Sequence, residues 1–391
     1  MHSNSITKLI DLKGVNVKKI EQLDNSTLIH IESKTHEQIC PGCGKSTSKV
    51  HDYRTQKIKH FPMNHKAVIL SLRKRRYVCS CGKRFYEKYS FLPKYHRVTS
   101  ALLKHIIYEL HKQVSFSSVA KDCHVSVSTV IRYFDYVNYP KPSSLPEVLC
   151  IDEFRGNAGN QKFQCILVDG KKNQVVDILP DRRQDHLTQY FASFSRHERL
   201  KVKFFVSDMW EPYTVLARCY FPNATIITDK YHFIRQVTWA IEAVRKELQK
   251  TMPATLRKYY KHSRSLILSR YSKIKGDKKR ELEVMLTYND MLRQAHWLKE
   301  KFYDVCQNPK YSEQRQGFYE WIKMAEKSGL PKFQKCAATF RRWSKEILNA
   351  LKYGYTNGPT EGFNNKIKVL KRVSYGVRNF ARFRNRILYS F

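Results

Sequence analysis

The sequence predicts a multidomain α/β protein with three parts: a small β-rich metal-binding module, a helical module, and a mixed α/β domain with an all-α insertion. Three observations predict this order. Cysteine pairs lie between segments that alternate apolar and polar residues, the apolar spacing becomes helical from Thr99, and strand-like and helix-like segments alternate after the proline-rich stretch "NYPKPSSLPE". The expected domain limits are 1–97, 98–139 and 148–391, with a linker at 140–147 and a helical insertion at about 235–350.

Charge is the most informative property of the composition. Lys and Arg number 72 against 34 Asp and Glu, a formal net charge of +38, which favours a polyanionic partner, above all double-stranded DNA. A ribosome-like structural role and attraction to an anionic membrane are alternatives, but the 13% aromatic content argues against a simple basic tail. No signal-peptide core and no run of ~18 apolar residues occurs, so we expect a cytoplasmic protein with reduced cysteines.

Two cysteine pairs predict a metal site. Cys40 and Cys43 form a CxxC motif, and Cys79 and Cys81 form a CxC motif after 35 intervening residues. Two thiolate pairs on tight, glycine-containing turns can supply four sulfurs in a tetrahedron around one Zn²⁺. Because four protein ligands leave no position open for water, the pattern predicts a structural zinc ribbon. The alternative is two unrelated pairs of buried cysteines.

Residues between the two pairs suggest a second role for the ribbon. Residues 57–97 contain twelve Lys or Arg against one acid, Glu87, so the ribbon is also expected to contact DNA phosphates, through Arg75 and Arg76 among others. Three histidines in this region could replace a zinc ligand, although solvation or phosphate contact is commoner for a histidine in a basic segment: His51, His60 and His65.

A helix-turn-helix is predicted next. The segment "SALLKHIIYELHKQ" forms an apolar helical face and can be capped by Thr99 or Ser100, and "SFSSVAKDCHVSVSTVIRYFDYV" reads as helix, turn, helix. Any short helical hairpin would give this pattern, but the charge and the neighbouring ribbon favour DNA recognition. The residues expected to contact DNA lie on the early turns of the second helix: Ser126, Ser128, Thr129 and Arg132.

After the linker, the order of elements is typical of the ribonuclease H fold, with three strands, a helix, and further strands alternating with helices. Asp152 ends the first strand and Asp208 ends the fourth. In that topology these two strands are neighbours, so both carboxylates are expected at the same region of the sheet. For either aspartate alone, a helix cap or turn residue is the alternative. Glu153 should point to the opposite face. Asp229, at the end of the fifth strand, could be a cap, a supporting group or a residue with a direct role.

Glu361 is the one acid in a basic C-terminal segment that begins at Lys352 and contains nine Lys or Arg. A carboxylate there weakens polyanion binding, which indicates another purpose. "NGP" predicts a helix start just before Glu361, from which its carboxylate could join those of Asp152 and Asp208. Three carboxylates can hold two Mg²⁺ or Mn²⁺ ions for phosphodiester chemistry. The neighbouring cations are expected to hold the phosphate backbone: Lys366, Lys368, Lys371 and Arg372.

Four stretches resemble motifs of insertion-sequence transposases of the ISL3 family, which are of the DDE type: "SDMWEPY", "YFPNATIITDKYHFIRQV", "NGPTEGFNNKIKVLKR" and "VSYGVRNFARFRNRIL". The resemblance covers nearly the whole chain. It implies that Asp152, Asp208 and Glu361 are the three catalytic acids, in that order. The second cysteine pair departs from the pattern, because its spacing is CxC and not the commoner CxxC. This departure affects the assignment of the fourth zinc ligand.

The function implied is that of a bacterial, nucleoid-associated transposase, acting as a homodimer on DNA. It would bind the terminal inverted repeats of its element and catalyse metal-dependent cleavage and strand transfer into target DNA. The alternatives are a transposase-derived DNA-binding regulator without catalysis and a cellular nuclease of the same fold.

Overall fold

The structure is a computed structural model that describes residue 7 and residues 10–34, 37–156, 158–159 and 161–391. The chain divides into two compact units. The first comprises the residues up to Tyr139 together with Ile367–Ser390, and the second comprises Pro140–Lys366 with Phe391. Each unit has its own hydrophobic core.

The first unit begins with a β-sheet in the order β1-β2-β6-β5, with β7 paired to β6, and a separate two-stranded pair of β3 and β4. β1 and β2 form an antiparallel hairpin, consistent with the alternation of apolar and polar residues in this segment. Apolar side chains on one face, including Ile31, Ile58 and Leu70, are fully buried and form the core. The bounds are β1 Val15–Gln22, β2 Ser26–Ser33, β3 Gln38–Ile39, β4 Ser46–Thr47, β5 Val50–Met63, β6 Lys66–Val78 and β7 Arg84–Tyr86.

His60 joins three segments of this unit. Its side chain is 2% exposed, with Nδ1 lying 2.8 Å from Thr99 Oγ1 and Nε2 2.9 Å from the carbonyl oxygen of Ile10. Burial lowers the pKa of His60 to about 4 from its usual 6.5. His60 therefore links β5 to the first helix as a neutral ring, and its place in the fold gives it a structural role.

Acid is expected to weaken this unit through His60. Since the folded-state pKa lies below the unfolded one, the stabilisation is fully present above pH 6.5 and is lost as the pH falls towards 4. Its loss is worth up to about 3 kcal/mol, at about 1.4 kcal/mol per pKa unit. The melting temperatures of the wild-type protein and of His60→Gln, measured between pH 4 and 8, test this expectation. Loss of metal in acid would affect both proteins equally, so a difference between their pH dependences reports on His60. Identical pH dependence in the two proteins would contradict the expectation.

Three helices form the predicted helix-turn-helix region: α1 (Ser100–His111), α2 (Phe116–Asp122) and α3 (Val127–Phe134). Thr99 caps α1, as predicted, by accepting a hydrogen bond from the Leu102 amide. The predicted inward faces are confirmed, because their central residues are buried in one cluster: Leu102, Ile106, Leu110, Val119, Ala120, Cys123, Val130 and Phe134.

The C-terminal helix α16 (Phe380–Ser390) packs against these helices, although the sequence analysis assigned it to the catalytic domain. Arg386 is 1% exposed and donates to the carbonyl oxygens of Lys112 and Val114 at 2.8 and 3.0 Å. One turn earlier on α16, Arg382 makes a two-point ion pair with Asp135. The helix-turn-helix region is therefore completed by residues about 250 positions further along the chain.

The second unit is built on a five-stranded sheet in the order β10-β9-β8-β11-β12. β8 pairs antiparallel with β9 and parallel with β11, which in turn pairs parallel with β12. This confirms that the first and fourth strands of the domain are neighbours. The bounds are β8 Val148–Arg155, β9 Phe163–Asp169, β10 Gln174–Leu179, β11 Phe204–Ser207 and β12 Thr225–Thr228.

Helices complete this unit. α4 (Gln184–Ala192) and α6 (Glu211–Tyr220) contribute Phe191 and Leu216 to the core formed with β8 and β11. A helical array separates β12 from the last two helices, as the sequence predicted. The other bounds are α5 Arg196–Leu200, α7 Lys230–Thr251, α8 Ala254–His262, α9 Arg264–Leu268, α10 Asp277–Tyr288, α11 Asp290–Gln307, α12 Tyr311–Lys327, α13 Pro331–Arg342, α14 Ser344–Tyr353 and α15 Gly358–Val373.

Candidate active site and zinc site

The two aspartates lie at the same edge of the second sheet. Val206 of β11 is paired with Cys150 of β8 in a parallel register, so Asp208 and Asp152 each follow that pair by two residues. Asp208 directly follows β11, but Asp152 lies within β8, three residues before its end, so the expectation that Asp152 ends the first strand is wrong. The parallel register still brings the two carboxylates close enough for the charge of Asp208 to act on Asp152. The proximity predicted from strand order is therefore present.

Burial and the neighbouring charge of Asp208 change the titration of Asp152. Burial raises the pKa of Asp152 to about 7, and the charge of Asp208 adds to the shift. Two hydrogen bonds orient the Asp152 carboxylate: Oδ1 accepts from the Glu153 amide at 2.7 Å, and Oδ2 accepts from Asn364 Nδ2 at 2.8 Å. A pair of anions held together in this way favours a bound cation, because a cation removes the repulsion.

A histidine contacts the aspartate pair. His232, on the first turn of α7, places Nε2 3.0 Å from Asp208 Oδ1. Burial opposes protonation of the ring, but the Asp208 carboxylate outweighs it and raises the pKa of His232. Sequence reasoning missed His232, although "DKYHF" offered a signal, since a histidine three residues after a strand-ending aspartate lies on the first turn of the following helix.

Asp229 holds the start of α15. Its Oδ1 accepts a hydrogen bond from the Asn357 amide at 2.9 Å, while Asn357 Nδ2 donates to the Ile151 carbonyl oxygen at 2.9 Å. Thr360 in turn donates to Asn357 Oδ1 at 3.0 Å. Asp229 is 7% exposed, and burial raises its pKa. Asn357 therefore ties the start of α15 to β8, and Asp229 holds Asn357 in place.

Glu361 lies on the first turns of α15, as predicted, but its carboxylate is exposed. It precedes Asn364 by three residues, so it is about 60° from Asn364 around the helix axis. Among the residues that the structure describes, only the four cysteines of the ribbon form a cluster of three or more metal-ligating groups within 4.8 Å of one another. Glu361 is thus close in sequence to the residue that binds Asp152 but is not gathered with the two aspartates.

Glu153 points away from the aspartate pair, as its position on β8 predicted. Its carboxylate accepts hydrogen bonds from Tyr213 at 3.1 Å and from Arg182 at 2.5 Å. The carboxylate is therefore already satisfied by side chains of this unit. We assign it a structural role.

The four ribbon cysteines converge on one point, with every Sγ within 4.8 Å of the others. The Sγ atoms of Cys40 and Cys81 are 3.7 Å apart, and those of Cys43 and Cys79 are 3.5 Å apart. A tetrahedral Zn–S distance of about 2.3 Å requires about 3.8 Å between sulfurs, so the spacing fits zinc.

Glycine-containing turns bring the sulfurs together. Gly44 and Gly82 have φ angles of 71° and 81°, which favour glycine, and their amides donate to the carbonyl oxygens of Cys40 and Cys79. The amide of Cys81 is the main cause that lowers the pKa of Cys79 to about 6. The CxC pair therefore supplies the remaining two of the four sulfurs of the site.

Three family profiles match the chain. The ISL3 profile described as a transposase matches residues 149–387, which is more than half of the chain. The chain belongs to the ISL3 family of transposases. A profile for the zinc finger of the transposases of IS204, IS1001, IS1096 and IS1165 matches residues 36–81, and the helix-turn-helix profile of the ISL3 family matches residues 87–138.

Two of the relatives described here are transposases of insertion sequences. The transposase of the insertion sequence IS1001 from Bordetella parapertussis is 25% identical over 381 residues, covering 94% of this chain and 93% of that protein. The IS1557 transposase of Mycobacterium tuberculosis is 24% identical over 245 residues, 56% of this chain and 54% of that protein. An ATP-dependent protease of Lactococcus lactis is 48% identical over only 56 residues, 14% of this chain and 18% of that protein.

The expected DNA contact by Arg75 is wrong for this family member. Arg75 is 3% exposed, and its guanidinium donates to Ser33 and forms ion pairs with Glu32 and Glu87. Strand pairing continues without a shift through this part of β6, so Arg75 lies on the face opposite to Leu70 and Leu72, and that second face is buried at this end of the strand. Sequence reasoning missed this because alternation indicates one buried face and does not show where the other face is covered. Arg76 is partly exposed and lies 3.4 Å from Asp52.

Arg75→Ala is expected to destabilise the ribbon by about 3–5 kcal/mol, because it leaves the fully buried carboxylate of Glu87 without its cation. Arg76→Ala should change stability little and weaken binding to all DNA sequences alike. Thermal melting and a DNA-binding titration of the two variants separate these effects. A stable Arg75→Ala protein with reduced DNA affinity would restore the original prediction.

The four helix-turn-helix candidates differ in their surroundings. Ser126 caps α3 by accepting from the Thr129 amide at 3.2 Å, and its Oγ also lies 2.8 Å from Thr129 Oγ1. Ser128 and Arg132 are exposed on α3 beside Tyr136, whose side chain is 77% exposed. With Ile131 and Asp135 they line a shallow cleft of about 450 Å³. Ser128 and Arg132 are thus available to DNA, whereas Ser126 mainly begins the helix.

The four cations predicted to hold phosphate follow Glu361 on α15. Lys366, Lys368 and Arg372 are exposed, and Lys371 is half-buried. Phe363, Ile367 and Leu370 form the buried stripe of the same helix. Within the described part of the chain, no helix is both long and apolar enough to cross a membrane.

Proposed function

We propose that this family member is a DDE transposase, which binds the terminal inverted repeats of its insertion sequence and catalyses DNA cleavage and strand transfer. The observation that carries the proposal is the pair of carboxylates, Asp152 within β8 and Asp208 just after β11, held close together on neighbouring parallel strands. The strand order of the second unit, with its helical insertion, supports a ribonuclease H-like core.

Asp152 and Asp208 would hold the divalent cations, and Glu361 would complete the ligand set. Carboxylate oxygens suit Mg²⁺ or Mn²⁺, and two such ions, when bound, activate the attacking oxygen and stabilise the leaving oxygen of a phosphodiester. Asn364 orients the Asp152 carboxylate, and His232 does the same for Asp208. Asp229 holds Asn357, which ties the start of α15, the helix that carries Glu361, to β8.

Recognition of the element end is assigned to α3, and the zinc ribbon would support it. Lys366, Lys368, Lys371 and Arg372 would hold the phosphate backbone, and the functional form on DNA would be a homodimer that pairs two element ends. In the full chain, Arg132→Ala is expected to relax base preference at a cost of about 1–3 kcal/mol, whereas Lys368→Ala should weaken binding to all sequences alike. Unchanged sequence preference of Arg132→Ala in a binding titration would contradict this assignment.

The cleavage test uses the full-length protein and a labelled duplex that carries one element end. We expect Mg²⁺-dependent cutting at the end, followed by joining of the new 3′-hydroxyl to a second duplex. Binding without cutting would favour the alternative function, a transposase-derived DNA-binding regulator without catalysis. The exposed position of Glu361 also supports that alternative. Cutting without joining would indicate a nuclease.

A further inference from the structure

One stretch of the helical insertion is far more basic than the rest. Residues 254–280 contain ten Lys or Arg and one acid, whereas residues 281–350 contain twelve Lys or Arg and nine acids. The charge is therefore concentrated in the first third of the insertion, from α8 to the start of α10. A generally basic chain would not by itself produce this contrast within one helical array.

Part of this stretch surrounds a cleft of about 790 Å³. Lys273, Lys275 and Lys278 line it and are exposed. Among the described residues, none of these three lysines has an acidic group within the 4.0 Å of an ion pair; Glu281 also lines the cleft but does not pair with them. Three like charges around one concavity repel one another, and an anionic ligand would relieve that repulsion.

The wall of the cleft is held by a buried lysine. Lys299 on α11 is 0% exposed, and its Nζ donates to the carbonyl oxygens of Ile267 and Ser269 at 2.8 and 2.6 Å. These bonds fix the end of α9 and the turn that follows it. The cleft therefore has a rigid wall.

Nearby acids are already engaged. Arg270, which also lines the cleft, donates to Glu300 at 2.7 Å and forms an ion pair with Asp304. The Lys299 ammonium group lies 2.8 Å from Glu300 as well. Because Arg270 and Lys299 take up these carboxylates, Glu281 is the one acid in the lining of the cleft that faces the three lysines.

We propose that this cleft binds the sugar-phosphate backbone of duplex DNA, independently of base sequence. Lysine ammonium groups on flexible stems suit phosphates that lie at variable positions. The site goes beyond the proposed catalysis, since it does not use the carboxylates, and beyond recognition by α3, since it lies in the insertion. Its role would be to hold a stretch of DNA that the helix-turn-helix does not read.

The test compares two triple variants of the full-length protein that lose the same charge. One carries Lys273→Ala, Lys275→Ala and Lys278→Ala, and the control replaces three exposed lysines of α12 and α13 that lie outside the cleft: Lys323, Lys327 and Lys335. Affinity for a duplex without an element end is measured over a series of salt concentrations. Because no cleavage is required, the result is readable even if the catalytic proposal fails.

We expect the cleft variant to bind about tenfold more weakly at 0.1 M salt. The slope of log affinity against log salt should fall by up to about 2.7, since each phosphate contact contributes about 0.9. The control should stay within about twofold of the wild type. An equal loss of duplex affinity in both variants would show that net charge alone explains the effect, and it would overturn the proposal. So would unchanged duplex affinity in the cleft variant, including the case in which the cleft binds only inorganic phosphate.

Discussion

Asp152→Asn, Asp208→Asn and Glu361→Gln are each expected to abolish cleavage and joining while leaving the fold and DNA binding intact. The loss should be at least about 10³-fold. A bound divalent cation supplies several kcal/mol of transition-state stabilisation, and about 1.4 kcal/mol corresponds to a factor of ten in rate. Glu361→Gln should bind DNA at least as tightly as the wild type, because an exposed negative charge beside Lys366 and Lys368 is removed.

The matched control for these three variants is Asp229→Asn, which keeps an oxygen that can accept from the Asn357 amide. Its activity should fall much less. Single-turnover cleavage of a labelled element end, with binding measured on the same duplex, separates chemistry from affinity. Near-normal strand transfer by Glu361→Gln together with its loss in Asp229→Asn would identify Asp229 as the third acid. Glu361 would then be only an exposed residue at the start of a basic helix.

The second large effect concerns the ribbon. One Zn²⁺ per chain is expected, and Cys40→Ser or Cys79→Ser should abolish its binding and unfold the ribbon, since a site that exists only in the folded state couples metal binding to folding. The sheet core of the second unit should stay folded. The exposed Cys219, on α6, supplies the control, because Cys219→Ser should retain its zinc.

Elemental analysis and circular dichroism of these variants measure the two effects. Protein purified without chelator that contains no zinc would refute the site. Full zinc content in Cys79→Ser would show that the CxC pair is not part of it.

The parts of the site that the sequence predicted are those set by short-range patterns. The spacing of four cysteines was sufficient for the zinc ligands, because a tetrahedral thiolate site tolerates few other arrangements. The pairing of Asp152 with Asp208 followed from strand order, which requires the first and fourth strands of such a sheet to be neighbours. Both predictions depend on backbone topology and not on individual side-chain packing.

The parts that the sequence did not predict depend on tertiary packing. Asn364 lies 212 positions from Asp152, and nothing local marks its amide as a partner for that carboxylate. Arg75 has the same sequence context as its basic neighbours, but the second face of β6 is buried where it lies. Arg386, in a C-terminal segment that reads as one more basic helix, is the buried anchor of α16. In each case, burial decides the role of a polar residue, and burial is not visible in composition or spacing.

The central claim is that Asp152, Asp208 and Glu361 share one divalent-cation site. Replacing Mg²⁺ with Fe²⁺ and adding ascorbate and peroxide generates radicals at the metal, which cut the polypeptide beside its ligands. We predict three cuts in the wild-type protein bound to an element end, near residues 152, 208 and 361, all suppressed by excess Mg²⁺ and absent in Asp208→Asn. Cuts near Asp152 and Asp208 without one near Glu361, or cuts that Mg²⁺ does not suppress, would contradict the claim.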